Sequence, residues 1–292
     1  MNGFLNLLKP PGMTSSDAVV RIRRTLKGEK VGHAGTLDPE AAGVLPIMIG
    51  KASRLFDLLV EKRKAYVAEI AFGVTTDTQD AQGTVISRVE GMPTEEALRA
   101  VLPQFVGHIE QIPPAYSALK VGGQTAYALA RKGEAPVLAA RPAYVEGIEL
   151  LEMMPEGSAL LRIDCGKGTY VRTLCHDIGQ VLGMGAHMRF LLRTLSGSFS
   201  IEESITLEEW QEAEDRASLL TAMDAPLAHL PIARVEAGME AVCRNGNPLT
   251  RFCELDARVQ EGEMARVYCA DRFAGVGRWR DGALRFQAML LE

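Results

Sequence analysis

The residues best suited to chemistry lie in one short segment, the octapeptide G-H-A-G-T-L-D-P at residues 32–39. It combines a carboxylate (Asp38), an imidazole (His33) and a hydroxyl (Thr36) with two glycines and a proline. Glycine permits backbone angles that other residues avoid, and Pro39 favours an extended conformation at Asp38. Such a loop can hold one acid in a fixed pose. The same residue types also form ordinary turns, so the segment alone does not establish a site.

Five further segments accompany this loop in a fixed order along the chain. They are K-P-P-G-M-T-S at 9–15, K-A-Y at 64–66, G-V-T-T-D-T-Q-D-A-Q-G at 73–83, I-P-P-A-Y-S-A-L-K at 112–120 and C-G-K-G-T-Y-V-R-T-L at 165–174. Together the six segments closely resemble the motifs of the TruB family of bacterial tRNA pseudouridine synthases. The resemblance covers most of residues 3–195.

The resemblance implies a fold and a domain organisation. The expected fold class is α+β, the pseudouridine synthase fold, with a large mixed or antiparallel central sheet flanked by helices. Residues 1–228 would form the catalytic domain, with an insertion at about 113–140 that clamps the T-arm of tRNA. Residues 229–292 would form a small, β-rich, PUA-like RNA-binding domain. The irregular alternation of strand and helix patterns also favours an α+β fold over a doubly wound sheet.

The implied activity is isomerisation of uridine 55 in the tRNA T-loop, which needs no redox step and no cofactor. The N1–C1′ bond breaks, the uracil rotates, and C5 joins C1′ with loss of the C5 proton. A carboxylate can add to C1′ or take a proton from C2′, and the sequence leaves both routes open. By resemblance, Asp38 is this carboxylate, Arg172 pairs with it, and Tyr66 stacks on the uracil and takes part in C5 deprotonation.

Other residues are expected to contact the RNA, because a base inside a folded loop must be flipped out to react. By resemblance, His33 enters the T-loop and Tyr170 contacts the target nucleotide. Lys9 would support the Asp38 loop or bind a phosphate, and Asp80 would contact the base or hold the loop beside Tyr66. The remaining candidates for RNA contact are basic: Lys64, Lys120, Arg131 and Lys132.

The charge distribution suits an RNA-binding protein better than the total does. The chain has 292 residues and a formal net charge of −5. Residues 1–66 carry eleven Lys and Arg against six acids, whereas residues 202–224 carry eight acids and a single arginine. The basic segment is therefore expected to face the RNA, and the acidic segment to face away from it.

The cysteine pattern and hydropathy exclude several classes. None of the five cysteines forms a C-x-x-C pair, so no metal site is predicted. An odd number of cysteines, with no signal peptide, favours the cytoplasm. No apolar run approaches the roughly 18 residues of a membrane span, so no membrane association is expected. The family resemblance implies tRNA as partner, a monomer, and no obligatory protein partner.

Local patterns predict the elements that position these residues. Residues 4–8 indicate a strand, and a helix is predicted from a cap at Ser15 or Ser16 to Gly28. Residues 64–72 alternate as a strand that places Tyr66 on an apolar face. Helices are predicted over 94–105 and 169–182, with a domain boundary at 226–231.

The sequence allows three alternatives to a stand-alone synthase. A tRNA-binding or folding module would need the same surface but would tolerate Asp38→Asn. A metal- or nucleotide-dependent enzyme is disfavoured, because G-x-x-G at 32–35 lacks the context of a phosphate-binding motif. A guide-RNA-dependent synthase is disfavoured by the insertion at 113–140, which favours recognition of tRNA without partners.

Overall fold

The computed structural model describes residues 1–60, 63–117, 119–134 and 136–291, with only the backbone described at residues 60, 127 and 131. Among the described residues, thirteen strands lie between residues 3 and 200. They are β1 (Gly3–Lys9), β2 (Val31–His33), β3 (Ala42–Ile49), β4 (Lys64–Phe72), β5 (Val74–Thr76), β6 (Val85–Arg88), β7 (Gly107–Gln111), β8 (Lys120–Val121), β9 (Gln124–Thr125), β10 (Arg141–Met154), β11 (Ser158–Cys165), β12 (Ala186–Ser196) and β13 (Phe199–Ser200).

Nine of these strands form one sheet in the order β1-β3-β12-β4-β11-β10-β7, with β2 paired to β3 and β13 to β12. All its pairs are antiparallel except β12 with β3, which are parallel. The sheet is therefore mixed, as predicted. Strands β5 and β6 form a separate hairpin, and β8 and β9 form another within the insertion.

The α-helices are α1 (Ser15–Arg24), α2 (Phe56–Val60), α3 (Glu95–Val101), α4 (Ala126–Arg131), α5 (Val171–Val181), α6 (Leu207–Glu212) and α7 (Glu240–Arg244). The main core contains side chains of β1, β3, β4, β11 and β12 together with α1, α5 and α6. Strand β4 has the predicted bounds, and Tyr66, Ala68, Ile70 and Phe72 all lie in this core.

Helix α1 differs from the prediction at both ends. Its N-cap is Thr14 rather than Ser15 or Ser16, because Thr14 and Asp17 form a capping box that satisfies the free backbone donors. The helix ends at Arg24, short of Gly28. The Thr25 hydroxyl donates to the Ile22 carbonyl at 2.7 Å and accepts from the Trp210 indole at 2.9 Å. These two bonds hold Thr25 in place as the C-cap of α1.

Two further helices are shorter than predicted. Helix α3 begins at the expected place, capped by Thr94, but changes after Val101 into a 3₁₀ helix, Leu102–Phe105. Pro103 has no N–H to continue the α-helical pattern. Helix α5 begins at Val171 because both backbone groups of Tyr170 bond to the Gln111 side chain, at 3.0 and 3.1 Å.

A second sheet follows the main one, in the order β15-β14-β16-β17-β18. Its strands are β14 (Ile232–Val235), β15 (Glu254–Leu255), β16 (Met264–Cys269), β17 (Arg272–Arg280) and β18 (Ala283–Met289). The small, β-rich C-terminal part expected from the sequence is therefore present, and the exact domain boundary stays a prediction. Phe4 and Val44 of the main sheet share a buried cluster with Val276 and Leu290, so the two sheets pack together.

No helix in the described part of the chain is both long enough and apolar enough to cross a bilayer.

The close parallel pairing of β3 and β12 depends on Gly43, which lies opposite Arg193. Its φ is +113°, and a Cβ there would stand 2.2 Å from the Arg193 carbonyl oxygen and 2.7 Å from its nitrogen. Only glycine fits, because the neighbouring atoms are backbone and cannot turn aside.

We expect Gly43→Ala to lower the free energy of unfolding by at least about 3 kcal/mol, since backbone strain of roughly 1–3 kcal/mol adds to the overlap with Arg193. Gly157→Ala is the matched control, because Gly157 also has a positive φ but open space around it. The control should lose only about 1–2 kcal/mol. Urea denaturation measures both, and equal losses would contradict the packing explanation.

Candidate active site

The loop that carries Asp38 has no regular structure, yet each of its carbonyl groups from residue 35 to residue 39 accepts a hydrogen bond. The donors come from four separate parts of the chain. Arg193 donates to Gly35 and Thr36, Ser15 Oγ to Leu37, the Ala41 N–H to Asp38, and Lys9 Nζ with the Gly12 N–H to Pro39. The Leu37 N–H also donates to Ser15 Oγ, at 2.9 Å. The loop is thus fixed along its backbone, which fixes the Asp38 side chain.

Lys9 supports this loop from inside the protein. It is fully buried, and its Nζ donates to the carbonyls of Pro10, Met13 and Pro39 at 2.9, 2.7 and 2.9 Å. Burial lowers the pKa of Lys9 to about 8, although the carboxylates of Glu40 and Asp38 nearby oppose the change. Of the two roles offered for Lys9, these contacts favour support of the loop, because a buried ammonium cannot meet an RNA phosphate.

The Asp38 carboxylate pairs with Arg172 through both oxygens. Arg172 Nε lies 2.9 Å from Oδ2, and Nη2 donates to Oδ1 at 3.2 Å. The Arg172 side chain is 7% exposed, whereas the Asp38 side chain is 37% exposed. Removal from water raises the pKa of Asp38, and the Arg172 guanidinium opposes this rise. The carboxylate is thus open to a ligand on one side and held by a fixed cation on the other.

The remaining donors of Arg172 hold two other segments around the carboxylate. Nη1 donates to the Thr78 carbonyl at 3.2 Å and lies 3.5 Å from the Asp80 carboxylate, and Nη2 donates to the Tyr116 carbonyl at 3.1 Å. Asp80 in turn accepts from the Thr78 hydroxyl at 2.6 Å. Of the two roles offered for Asp80, these contacts favour holding the loop.

Gln79 lies between Thr78 and Asp80 with a φ of +63°, a conformation uncommon for a residue with a side chain. The Thr173 hydroxyl donates to Gln79 Oε1 at 3.0 Å, and the Met188 N–H donates to its carbonyl at 3.0 Å. Helix α5 and strand β12 therefore stabilise this strained residue, which turns the chain so that both neighbours face Arg172.

Tyr66 stands on β4 directly opposite Arg193 of β12, and its side chain is 7% exposed. Burial raises the pKa of its hydroxyl, while the nearby Arg193 guanidinium lowers it. The Asp38 carboxylate is close enough to raise the same pKa slightly. Tyr66, Asp38 and Arg172 are therefore brought together, as the sequence predicted for the catalytic set.

The two predicted nucleotide contacts lie at the edge of this cluster. Tyr170 immediately precedes α5 and is partly buried; burial raises the pKa of its hydroxyl, which lies beside Ser117. His33 ends β2, opposite Ile47. Burial and the nearby Arg193 lower the pKa of His33, and its Nδ1 has no hydrogen-bond partner among the described residues.

The predicted basic contacts are more dispersed. Lys64 begins β4 and is partly exposed. Lys120 and Lys132 are both exposed in the insertion, where Lys132 Nζ donates to Gln124 Oε1 at 3.2 Å. The side chain of Arg131 lies outside the described part of the structure.

Three residues that bond to the backbone around the site are not predicted by the sequence. Its local pattern indicates Ser15 only as a helix cap and assigns no role to Gln111 or Arg193. All three act on backbone groups distant in sequence, so no local pattern reveals them. The signal that was available for Arg193 is a charged residue inside an otherwise apolar strand, residues 186–196.

Within the described ranges, no three His, Cys, Asp or Glu side chains lie close enough together to bind a metal ion.

Comparison with known families and proteins agrees with this geometry. Residues 23–171 match the family described as TruB family pseudouridylate synthase (N terminal domain), and residues 172–229 match the tRNA pseudouridylate synthase B C-terminal domain. The chain is 43% identical over 278 residues to tRNA pseudouridine synthase B of Alkaliphilus oremlandii, covering 95% of this chain and 93% of that protein. It is 42% identical over 286 residues to the protein of the same name from Heliobacterium modesticaldum, covering 95% and 90%.

Among solved structures, the chain resembles one titled as a crystal structure of a Cbf5-Nop10-Gar1 complex. The TM-score is 0.74 at 30% identity, covering 99% of this chain and 84% of the other. The mixed sheet and the site on it thus define a pseudouridine synthase, an isomerase, and the fold class predicted from the sequence is confirmed. The chain belongs to the TruB family of pseudouridylate synthases.

We expect Lys9→Met to lower the free energy of unfolding by about 3 kcal/mol, because each buried carbonyl left without a donor costs roughly 1–3 kcal/mol. Catalytic turnover should fall as well, since the Asp38 loop loses a support. Arg99→Met, which changes an exposed basic residue outside the segment 1–66, is the control. Urea denaturation and a turnover assay measure the two effects, and a stable, fully active Lys9→Met protein would contradict them.

Lys9 should also make stability depend on pH in a defined direction. Its pKa is about 8 in the folded protein against an ordinary value of 10.5, so between these values the folded state binds fewer protons than the unfolded chain. The free energy of unfolding of the wild type, relative to Lys9→Met, should therefore rise from pH 8 to 10.5, by up to about 1.4 kcal/mol per pH unit. A difference that stays constant or falls over this window would show that Lys9 remains protonated.

Proposed function

We propose that the protein converts uridine 55 in the T-loop of tRNA to pseudouridine, with Asp38 as its catalytic carboxylate. The observation that carries this proposal is the two-oxygen contact between Asp38 and the buried Arg172, at 2.9 and 3.2 Å. Membership of the TruB family makes the chain a tRNA pseudouridine synthase. The uridine that is modified and the role of each residue are the proposed part.

The environment of Asp38 suits a carboxylate that must stay ionised beside an uncharged base. Arg172 supplies the compensating cation, and it is itself fixed by the carbonyls of Thr78 and Tyr116. An ionised Asp38 can add to C1′ or take a proton from C2′, and it stabilises positive charge on the sugar in either case. Because the loop carbonyls are all bonded, the carboxylate loses little freedom when the substrate binds.

Tyr66 is the proposed partner of the flipped uracil. Its side chain belongs to the main core and lies near Asp38, which supports stacking against the base, and its oxygen can take the C5 proton as the phenolate. We assign Tyr170 to the other side of the nucleotide and His33 to the space that the base leaves in the T-loop. An aromatic or imidazole ring can stack on an unpaired base with little sequence preference.

The insertion is the proposed contact with the T-arm. Lys120 and Lys132 are exposed on it, and its beginning is joined to the site through the Tyr116 carbonyl and Arg172. This arrangement supports recognition of tRNA by a monomer without an obligatory protein partner. Since tRNA is the substrate, the cytoplasm is the proposed location. Lys64 and Arg131 complete the set of basic residues assigned to RNA phosphates.

Asp38→Asn should abolish turnover but retain tRNA binding, because asparagine keeps the shape of the side chain without its charge. Release of tritium from an unmodified tRNA labelled at uridine C5, with a chelator and no added cofactor, measures turnover. Filter binding measures affinity. Asp57→Asn, a change at an exposed carboxylate of α2, should behave as wild type.

The outcomes of this experiment separate the alternatives. Tritium release by the wild type that is lost when the T-loop uridine is replaced would support position 55. Activity in Asp38→Asn would remove Asp38 from the catalytic role. Tight binding with no release by either protein would instead indicate a non-catalytic tRNA-binding or folding module.

Replacing Lys120 and Lys132 with glutamine should weaken tRNA binding and reduce its salt dependence. Each lost phosphate contact should lower the slope of log affinity against log salt by about 0.7–0.9. The rate at saturating tRNA should stay near that of the wild type. Arg88→Gln and Arg99→Gln together form the matched control, at exposed basic residues outside both the insertion and the basic segment 1–66. An unchanged slope would argue against the insertion as the T-arm contact.

A further inference from the structure

Arg193 is a buried cation whose described partners are almost all backbone oxygens. It is 1% exposed, and its guanidinium donates to the carbonyls of Val44 at 2.7 Å, Gly35 at 3.1 Å and Thr36 at 3.4 Å. Among the described residues, no carboxylate forms an ion pair with it. Burying a charge without a counter-ion costs free energy, so a purely structural role would be served as well by an uncharged donor.

The side chain that completes the surroundings of Arg193 is Tyr66. The two residues lie directly opposite each other on β12 and β4, and the guanidinium is close enough to the Tyr66 hydroxyl to lower its pKa. Asp38 does not compete for this cation, since its carboxylate is paired with Arg172. The site thus contains two buried arginines, one facing the carboxylate and the other facing the phenol.

We propose that Arg193 is a positioning residue for the isomerisation, acting through Tyr66: it holds the Tyr66 oxygen in place and balances the negative charge on that oxygen until it takes the C5 proton. This inference rests on the proposed role of Tyr66. It explains why a cation stands at this point without a carboxylate partner. It also connects Tyr66 with the Asp38 loop, because one guanidinium lies near the Tyr66 hydroxyl and bonds to the carbonyls of Gly35 and Thr36.

In the proposed step, the Tyr66 oxygen carries the C5 proton away from the uracil. Tyr66 releases its hydroxyl proton to water, and the phenolate oxygen then takes the C5 proton of the rejoined uracil. The electron pair of the C5–H bond then forms the C5–C6 double bond. The π pair of the C6=N1 double bond moves to N1, and N1 takes a proton from water. Burial raises the pKa of Tyr66 and Arg193 lowers it, so Arg193 reduces the free-energy cost of the phenolate.

The test compares Arg193→Gln with the wild type on two tRNA substrates, one with protium and one with deuterium at C5 of the target uridine. Single-turnover rates should fall roughly 10²-fold in the variant, the size usual for losing assisted proton transfer. Deuterium should then slow the variant by a larger factor than it slows the wild type, because C5–H cleavage has become rate-limiting. The affinity for tRNA should be unchanged.

Arg189→Gln is the matched control on the same strand. Arg189 is partly exposed and pairs with Glu69 at 2.8 Å, away from Tyr66, so this variant should keep the rate and isotope effect of the wild type. A slow Arg193→Gln without a larger isotope effect would overturn the proposal and leave Arg193 as a support of the Asp38 loop. A wild-type rate in Arg193→Gln would overturn it as well.

If Arg193→Gln does not fold, as circular dichroism would show, Arg193→Lys provides the test. Its single-turnover rate is measured alone and combined with Tyr66→Phe. If Arg193 acts through Tyr66, the losses are not additive and Arg193→Lys costs little once the hydroxyl is gone. Additive losses would overturn the proposal. A normal rate in Tyr66→Phe alone would instead overturn the proposed role of Tyr66.

Discussion

Every functional feature of this protein depends on holding one irregular loop still. The loop at residues 35–39 cannot form ladder hydrogen bonds, so its carbonyl groups need donors from elsewhere. The donors are the side chains of Lys9, Arg193 and Ser15 and the backbone N–H groups of Gly12 and Ala41. These bonds determine the position of the Asp38 carboxylate, so its orientation is set before RNA binds. Such preorganisation is what electrostatic catalysis requires.

The three cations around the loop contact different parts of the site. Arg172 meets the Asp38 carboxylate and two neighbouring carbonyls, so it fixes charge and shape on the open side of the cleft. Arg193 meets the loop backbone and Tyr66 from the closed side. Lys9 is buried, and it donates hydrogen bonds to the backbone carbonyls of Pro10, Met13 and Pro39. Charged groups with long side chains suit these positions, because one fork-shaped guanidinium can satisfy several oxygens at once.

The same bonds connect the chemistry to the surface that is proposed to hold RNA. The carbonyl of Tyr116, at the start of the insertion, accepts from Arg172, and Gln111 of β7 holds both backbone groups of Tyr170. A shift of the insertion would therefore move the partners of Arg172 and of the proposed nucleotide contact Tyr170. The strained Gln79 provides a third connection, through Thr173 of α5. Hydrogen bonds thus link the proposed RNA-binding surface to the residues around Asp38.

Ordered motifs in the sequence are enough to identify the family, the fold class and the proposed catalytic set of Asp38, Tyr66 and Arg172. Strand β4 follows from simple alternation, and both signals are local properties of the chain. What holds the proposed set in place is visible only in the folded protein. The proposed role of Arg193 depends on the pairing of β12 with β4 and on Gly43, whose missing side chain lets β12 approach β3. The start of α5 depends on Gln111, 59 residues before Tyr170. Such partners meet only after the sheet has formed, so spacing along the chain carries no sign of them.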